Sequence, residues 1–245
     1  MKCILYFYAV IVSLLLAAAV RVFPYSFNAF NGMTGKGTVS LAPTISCPIS
    51  PAFGTAVDLI GSYGFTPNFD LFADAADFSL APQAGYAYSW IMPRFEFLPG
   101  NILGLQLQLN NSQPMSYGIA PQYHFFYEND GLALEFNGVF TYPVNNTNAS
   151  PAVSGILAPV WKAVKDILYP FIEIDPSYTF GNNSGFHLNI VPGFWIGIPD
   201  TPHQFCLAFT LSDVTSGAVG YGVSFWYSVS FGLIKDSPEE INNKE

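Results

Sequence analysis

Charge is what this chain has least of. Only 10% of its 245 residues are Asp, Glu, Lys or Arg, against roughly a quarter in a soluble globular protein. Bases are the scarcer kind, 8 against 17 acids. That balance argues against nucleic acid as a partner, because phosphates need basic contacts. Long apolar runs are missing too. A membrane-spanning helix needs about 20 apolar residues, and beyond the N-terminus every candidate is interrupted by a charge, Gly, Pro, Asn or Gln. Yet 51% of the residues are hydrophobic and 17% aromatic. Apolar content without apolar runs leaves one membrane solution, closed antiparallel strands that are apolar on one side only.

The N-terminus reads as a signal peptide over residues 1–19. Lys2 supplies the positive start, Ile4 to Leu16 the apolar core, and Ala17-Ala18-Ala19 small residues for cleavage. A second cut is open after Ser26, and a retained anchor is the alternative. Residues 1–19 carry a single base, Lys2, so the mature chain holds 7 bases against 17 acids, a net charge of −10. Cys3 leaves with the leader. Cys47 and Cys206 stay, and two cysteines in an exported chain raise the question of a pair.

Period-2 alternation fills the rest. Leu103, Leu105, Leu107 and Leu109 alternate with Gly104, Gln106 and Gln108. Leu132, Leu134, Phe136, Gly138, Phe140 and Tyr142 share one face, and Ala133, Glu135, Asn137, Val139 and Thr141 the other. In Phe205 to Ser212 one face reads Phe, Leu, Phe, Leu and the other Cys, Ala, Thr, Ser. A strand places such residues on opposite faces, and a helix of period 3.6 does not. The polar face is mostly small and uncharged, and aromatics gather near strand ends (Tyr123, Phe125, Tyr127; Tyr178, Phe180). This favours a membrane barrel over a soluble sandwich or lipocalin-like fold, which shows charge to water.

About twelve strands are expected, at 33–43, 54–65, 68–78, 84–96, 102–110, 116–127, 131–142, 153–164, 167–180, 185–197, 203–213 and 219–233. Residues 161–168 also suit an amphipathic helix, but a tight hairpin at Lys165-Asp166 is preferred, because the segment after it alternates again and carries two prolines. An even strand number places both ends of the wall in the periplasm. Short turns at Thr66-Pro67, Pro99 to Asn101, Glu128 to Asp130, Lys165-Asp166 and Asp200 to Pro202 would then lie on that side. The loops Thr44–Ala52 and Pro143–Ala152 would lie on the other. Ten strands remain open if the first segment is not in the wall. The resulting fold class is a single all-β, closed, up-and-down transmembrane barrel over residues 27–234, followed by an acidic tail at 235–245.

The last strand, with Tyr221, Val223, Phe225, Tyr227, Val229 and Phe231 on one face, resembles the C-terminal strand that bacterial outer-membrane β-barrel proteins present to their assembly machinery. It departs from that pattern in having an acidic tail after it. Asn68 to Asp74 is similar to strands of porin-like and hydrocarbon-uptake channels. The resemblance implies a bacterial outer-membrane location, outer-membrane lipid and the barrel-assembly machinery as partners, and a small-molecule solute.

A carboxylate facing lipid is costly, so Asp58, Asp70, Asp74, Glu135, Glu173 and Asp175 are expected to point into the lumen. Two readings follow. They form a mildly acidic passage for cations or polyhydroxylated solutes, or they pair with Lys36, Arg94 and neighbouring polar groups to fill a closed, structural or adhesive barrel. Arg94 and Glu96 share a face, in a polar lumen network. His124 and His187 are expected inward. A twelve-strand outer-membrane phospholipase uses a Ser/His pair, which makes a lipid-modifying enzyme the third reading, but no local motif surrounds either His. Three His without fixed spacing make no metal site, and no cofactor is expected. Cys47, in the first loop, and Cys206, just past a turn at the opposite end, are expected roughly 15–25 Å apart and unpaired.

Overall fold

The computed structural model describes residues 32–51, 53–82, 84–111, 115–146, 149–165, 167–181 and 184–232. The expected leader, residues 27–31 of the expected barrel and the acidic tail lie outside them. Twelve strands succeed one another: β1 (Thr38–Ser50), β2 (Thr55–Thr66), β3 (Phe69–Ala81), β4 (Gly85–Leu98), β5 (Asn101–Asn110) and β6 (Ser116–Glu128). The second half comprises β7 (Leu132–Pro143), β8 (Ala152–Trp161), β9 (Leu168–Thr179), β10 (Gly185–Gly197), β11 (His203–Ser212) and β12 (Gly220–Gly232). Each pairs with the next, and β12 returns to β1 with Ser40 opposite Ser230 and Thr44 opposite Trp226, which closes the sheet.

Closure explains why period-2 strands this apolar form at all. In a closed barrel the backbone donors and acceptors of the wall pair with neighbouring strands, and no sheet edge is left to lipid. The leucines of β5 point outward, with Leu103, Leu105 and Leu107 52%, 43% and 45% exposed, while Ile102 and Gln106 on the alternate face are buried in the lumen. Aromatics ring both ends of the wall. Tyr63, Phe65 and Phe69 stack at the end where β1 begins and β12 finishes, here termed proximal. Phe78 with Tyr86, and Tyr178 with Phe180, stack at the distal end. Two aromatic girdles around an apolar belt match the two interfaces of a bilayer.

The expected faces of β5, β7 and β11 are those found, as is the strand count of twelve. The first segment is where the expectation fails. Residues 44–50 are strand rather than loop, and β2 begins at Thr55. Residues 32–37 leave the wall and fold across the proximal lumen, where Gly37 donates to Gly64 O at 2.7 Å. β8 ends at Trp161, short of the expected 164, and Val164 bridges Leu168 to close the turn before β9.

Cys47 and Cys206 are free thiols. Cys47 lies within β1, not above it. It is opposite Val223 on the outward face, whereas Cys206 is opposite Trp226 on the lumen face. Two strand spacings and three residues of rise separate them by about 14 Å, nearer than two opposite ends of the wall would give. The long β1 and the stagger of a closed barrel bring both toward mid-wall.

Candidate functional site

The lumen is divided. In its proximal half, large side chains pack into the lumen: Met92, Arg94, Ile102, His124, Glu135, Phe171 and Trp195 are each under 2.5% exposed. An apolar cluster of Ala133, Val160, Tyr169, Phe171, Val191, Trp195, Cys206 and Ala208 occupies the β7–β11 side. Phe171 faces Gly193 across the β9–β10 ladder, and its ring occupies the space a Cβ there would need.

On the opposite side Arg94 forms a two-point ion pair with Asp70, Nε to Oδ1 at 3.0 Å and Nη2 to Oδ2 at 2.7 Å, both side chains fully buried. The guanidinium lies 4.1 Å from the centre of the Phe72 ring. The same pair holds residues 32–37: Thr34 N donates to Asp70 Oδ2 at 2.8 Å, and Arg94 Nη2 donates to Gly32 O at 3.0 Å. Thr34 Oγ1 donates to Ser62 Oγ at 2.9 Å. Gly64 makes this approach possible, because a Cβ at that position would overlap the Thr34 and Gly35 carbonyls. Arg94 and Glu96 share a face as expected but not a network, since Glu96 accepts from Gly100 N at 2.7 Å in the proximal turn. Gly100 has φ +73°, and a Cβ there would run into Phe126 O, so the turn requires glycine.

In the distal half the lumen opens into a chamber of about 340 Å³, lined by Thr44, Ser46, Asp58, Ile60, Asp74, Asp77, Tyr88, Trp90, Gln106 and Trp226. Two rungs of the sheet build it. One runs Trp226, Thr44, Asp58, Asp77, Tyr88 across five strands, and the next runs Ile60, Asp74, Trp90. Asp74 and Asp77 sit three apart, so strict alternation would turn one of them to lipid. A bulge in β3 between them resets the phase, while Tyr88 reaches the lumen by ordinary alternation, two residues before Trp90. Asp58 and Asp77 hydrogen-bond to each other.

Of the ten residues expected in the lumen, nine are buried or half-buried and His187 is exposed at the distal rim, and they form no single lining. Asp58 and Asp74 line the chamber. Asp70 and Arg94 anchor residues 32–37. His124 hydrogen-bonds to the side chain of Asn137 opposite it. Glu135 is buried beside Phe126 across the β6–β7 ladder, and Glu173 near Cys206. Asp175 stands opposite Asn189, and His187, at the distal rim, pairs with Asp213 at 3.2 Å. Asp77, Tyr88 and Thr44 escaped the sequence reading. The signal for Asp77 was present: a carboxylate out of phase with Asp70 and Asp74 in a lipid-facing register implies a bulge.

No protein-family model matches the chain, and no curated protein matches it by sequence. Among solved structures, an outer membrane channel of Pseudomonas putida F1 aligns over 86% of this chain and 100% of that one, with TM-score 0.58 and 10% identity. This chain folds as a bacterial outer-membrane β-barrel. The barrel also aligns with the CymD monoaromatic hydrocarbon channel over 86% and 96% of the two chains (TM-score 0.49, 8% identity). A bacterial polysaccharide outer membrane secretin aligns over 82% and 100% (TM-score 0.44, 9% identity). The two aromatic girdles and the apolar belt between them are those of a membrane-spanning barrel.

Proposed function

We propose that the protein is an outer-membrane channel for small solutes, with the distal chamber as its entrance and residues 32–37 as the stopper of its proximal half. The observation that carries this reading is the division of the lumen. Below an acidic chamber of about 340 Å³ lies a segment held inside the lumen by the Asp70–Arg94 pair, Ser62 and Gly64 rather than paired into the wall as a strand. The proximal end would face the periplasm, as an even-stranded barrel requires. Acidic side chains in the chamber favour cations.

The test is conductance of the purified full chain in a planar bilayer, with a reversal potential measured across a salt gradient. Small, cation-selective steps that grow when Arg94 is replaced by Met are expected. The packed proximal half favours one rival, a structural barrel that conducts nothing. Silence from both the wild type and Arg94→Met would establish that rival.

A further inference from the structure

The distal chamber carries a chemistry more specific than negative charge. It brings Asp58, Asp74 and Asp77 together with the rings of Tyr88, Trp90 and Trp226. No base accompanies them. The described residues include four Lys and Arg: Lys36, Arg94, Lys162 and Lys165. None lines the chamber, and Arg94 is committed to Asp70. Thr44, set between Asp58 and Trp226 on the same rung, is 4% exposed, and its Oγ1 has no hydrogen-bond partner among the described residues. A buried hydroxyl left unsatisfied is costly, and this one lies beside the carboxylate an incoming donor would approach. Nor does the group have the arrangement of a metal site: among the described residues no three His, Cys, Asp or Glu side chains are placed to hold an ion.

We propose that this chamber binds a small organic ammonium ion, its N–H groups donating to Asp74, the Asp58–Asp77 pair and Thr44 Oγ1, and its carbon body lying against Trp90 and Trp226. Carboxylates hold the charge, and aromatic faces hold both an ammonium and the methylene or aryl group beside it. About 340 Å³ falls at the small end of ligand cavities, which run roughly 300–1,000 Å³. That range admits a single-ring or short-chain amine. The inference deepens the channel reading by naming the class of solute at its entrance, and it rests on that reading for the route by which the amine arrives.

The experiment is equilibrium binding to the full chain in detergent, read by quenching of tryptophan fluorescence, with benzylammonium, benzyl alcohol and benzoate as probes. Benzylammonium is expected to bind at least about 10-fold more tightly than the alcohol, and benzoate more weakly still. Asp58→Asn, Asp74→Asn and Asp77→Asn combined should remove that preference. Trp226→Phe, which keeps all three carboxylates, should weaken all three probes while preserving their order. Heat-modifiable migration on gels shows that each variant is folded. Equal affinity for the alcohol and the ammonium, or a preference that survives the triple Asn variant, would overturn the assignment. Binding needs no conduction. A barrel that binds the amine but stays silent in bilayers keeps this inference and defeats the channel, and one that conducts without preferring the amine does the reverse.

Discussion

Replacing Arg94 by Met tests how the proximal lumen is built. Arg94 is fully buried, pairs with Asp70 at two points and holds Gly32 O, so its loss leaves the Asp70 carboxylate buried with Thr34 N still donating to it. Breaking one partner of a buried pair costs about 3–5 kcal/mol. Contact with the Phe72 ring, 4.1 Å from the guanidinium, adds about 0.5–2 kcal/mol where the cation is desolvated. Met keeps most of the volume, so the cavity contribution is small. Replacing Asp70 by Leu in the same chain removes the stranded charge, and buried pairs exchanged for apolar residues are often near neutral. The double variant should therefore recover at least half of the lost stability. It cannot restore the bonds to Thr34 N and Gly32 O. Residues 32–37 lose the bond at Gly32 O in the single variant and that at Thr34 N as well in the double one, and both should conduct more than the wild type. The assay is urea unfolding of the protein in lipid vesicles, followed by tryptophan fluorescence, alongside bilayer recordings. If Arg94→Met unfolds within about 1 kcal/mol of the wild type, or if the double variant is no more stable than the single one, the pair is not what holds this half of the barrel.

Three further outcomes are expected. Gly193→Ala places a Cβ into the Phe171 ring and 2.8 Å from Leu207 O, which should cost about 1–3 kcal/mol by overpacking. A lower urea midpoint, relieved by adding Phe171→Leu, checks it. Cys206, 1% exposed on the lumen side, should resist a hydrophilic maleimide in the folded barrel and react after unfolding. Mobility on non-reducing gels should not change with reductant, since the two thiols lie on opposite faces of the wall. The protein should also partition with the outer-membrane fraction and migrate differently before and after boiling, and recovery as a soluble monomer without detergent would refute the lipid-facing assignment.

What the sequence determined by itself is the material of the wall. Strands such as Leu103–Leu109 and Leu132–Tyr142 show their faces directly, because each residue's side is set by its own position in a period of two, and a carboxylate has only one affordable side in a membrane. Parity made the number even, and the lumen residues could be named from it. Tertiary structure decided everything that depends on which residues stand opposite one another. Asp70 and Arg94 lie 24 residues apart and meet only because β3 and β4 pair in that register. Asp77 joins Asp58 because a bulge in β3 changes phase, a one-residue event that alternation alone does not locate. Residues 33–43 read as one strand, yet the first of them pack inside the lumen. Their backbone is satisfied by Gly64, Asp70 and Arg94, and no local pattern distinguishes a strand in the wall from a segment held within it.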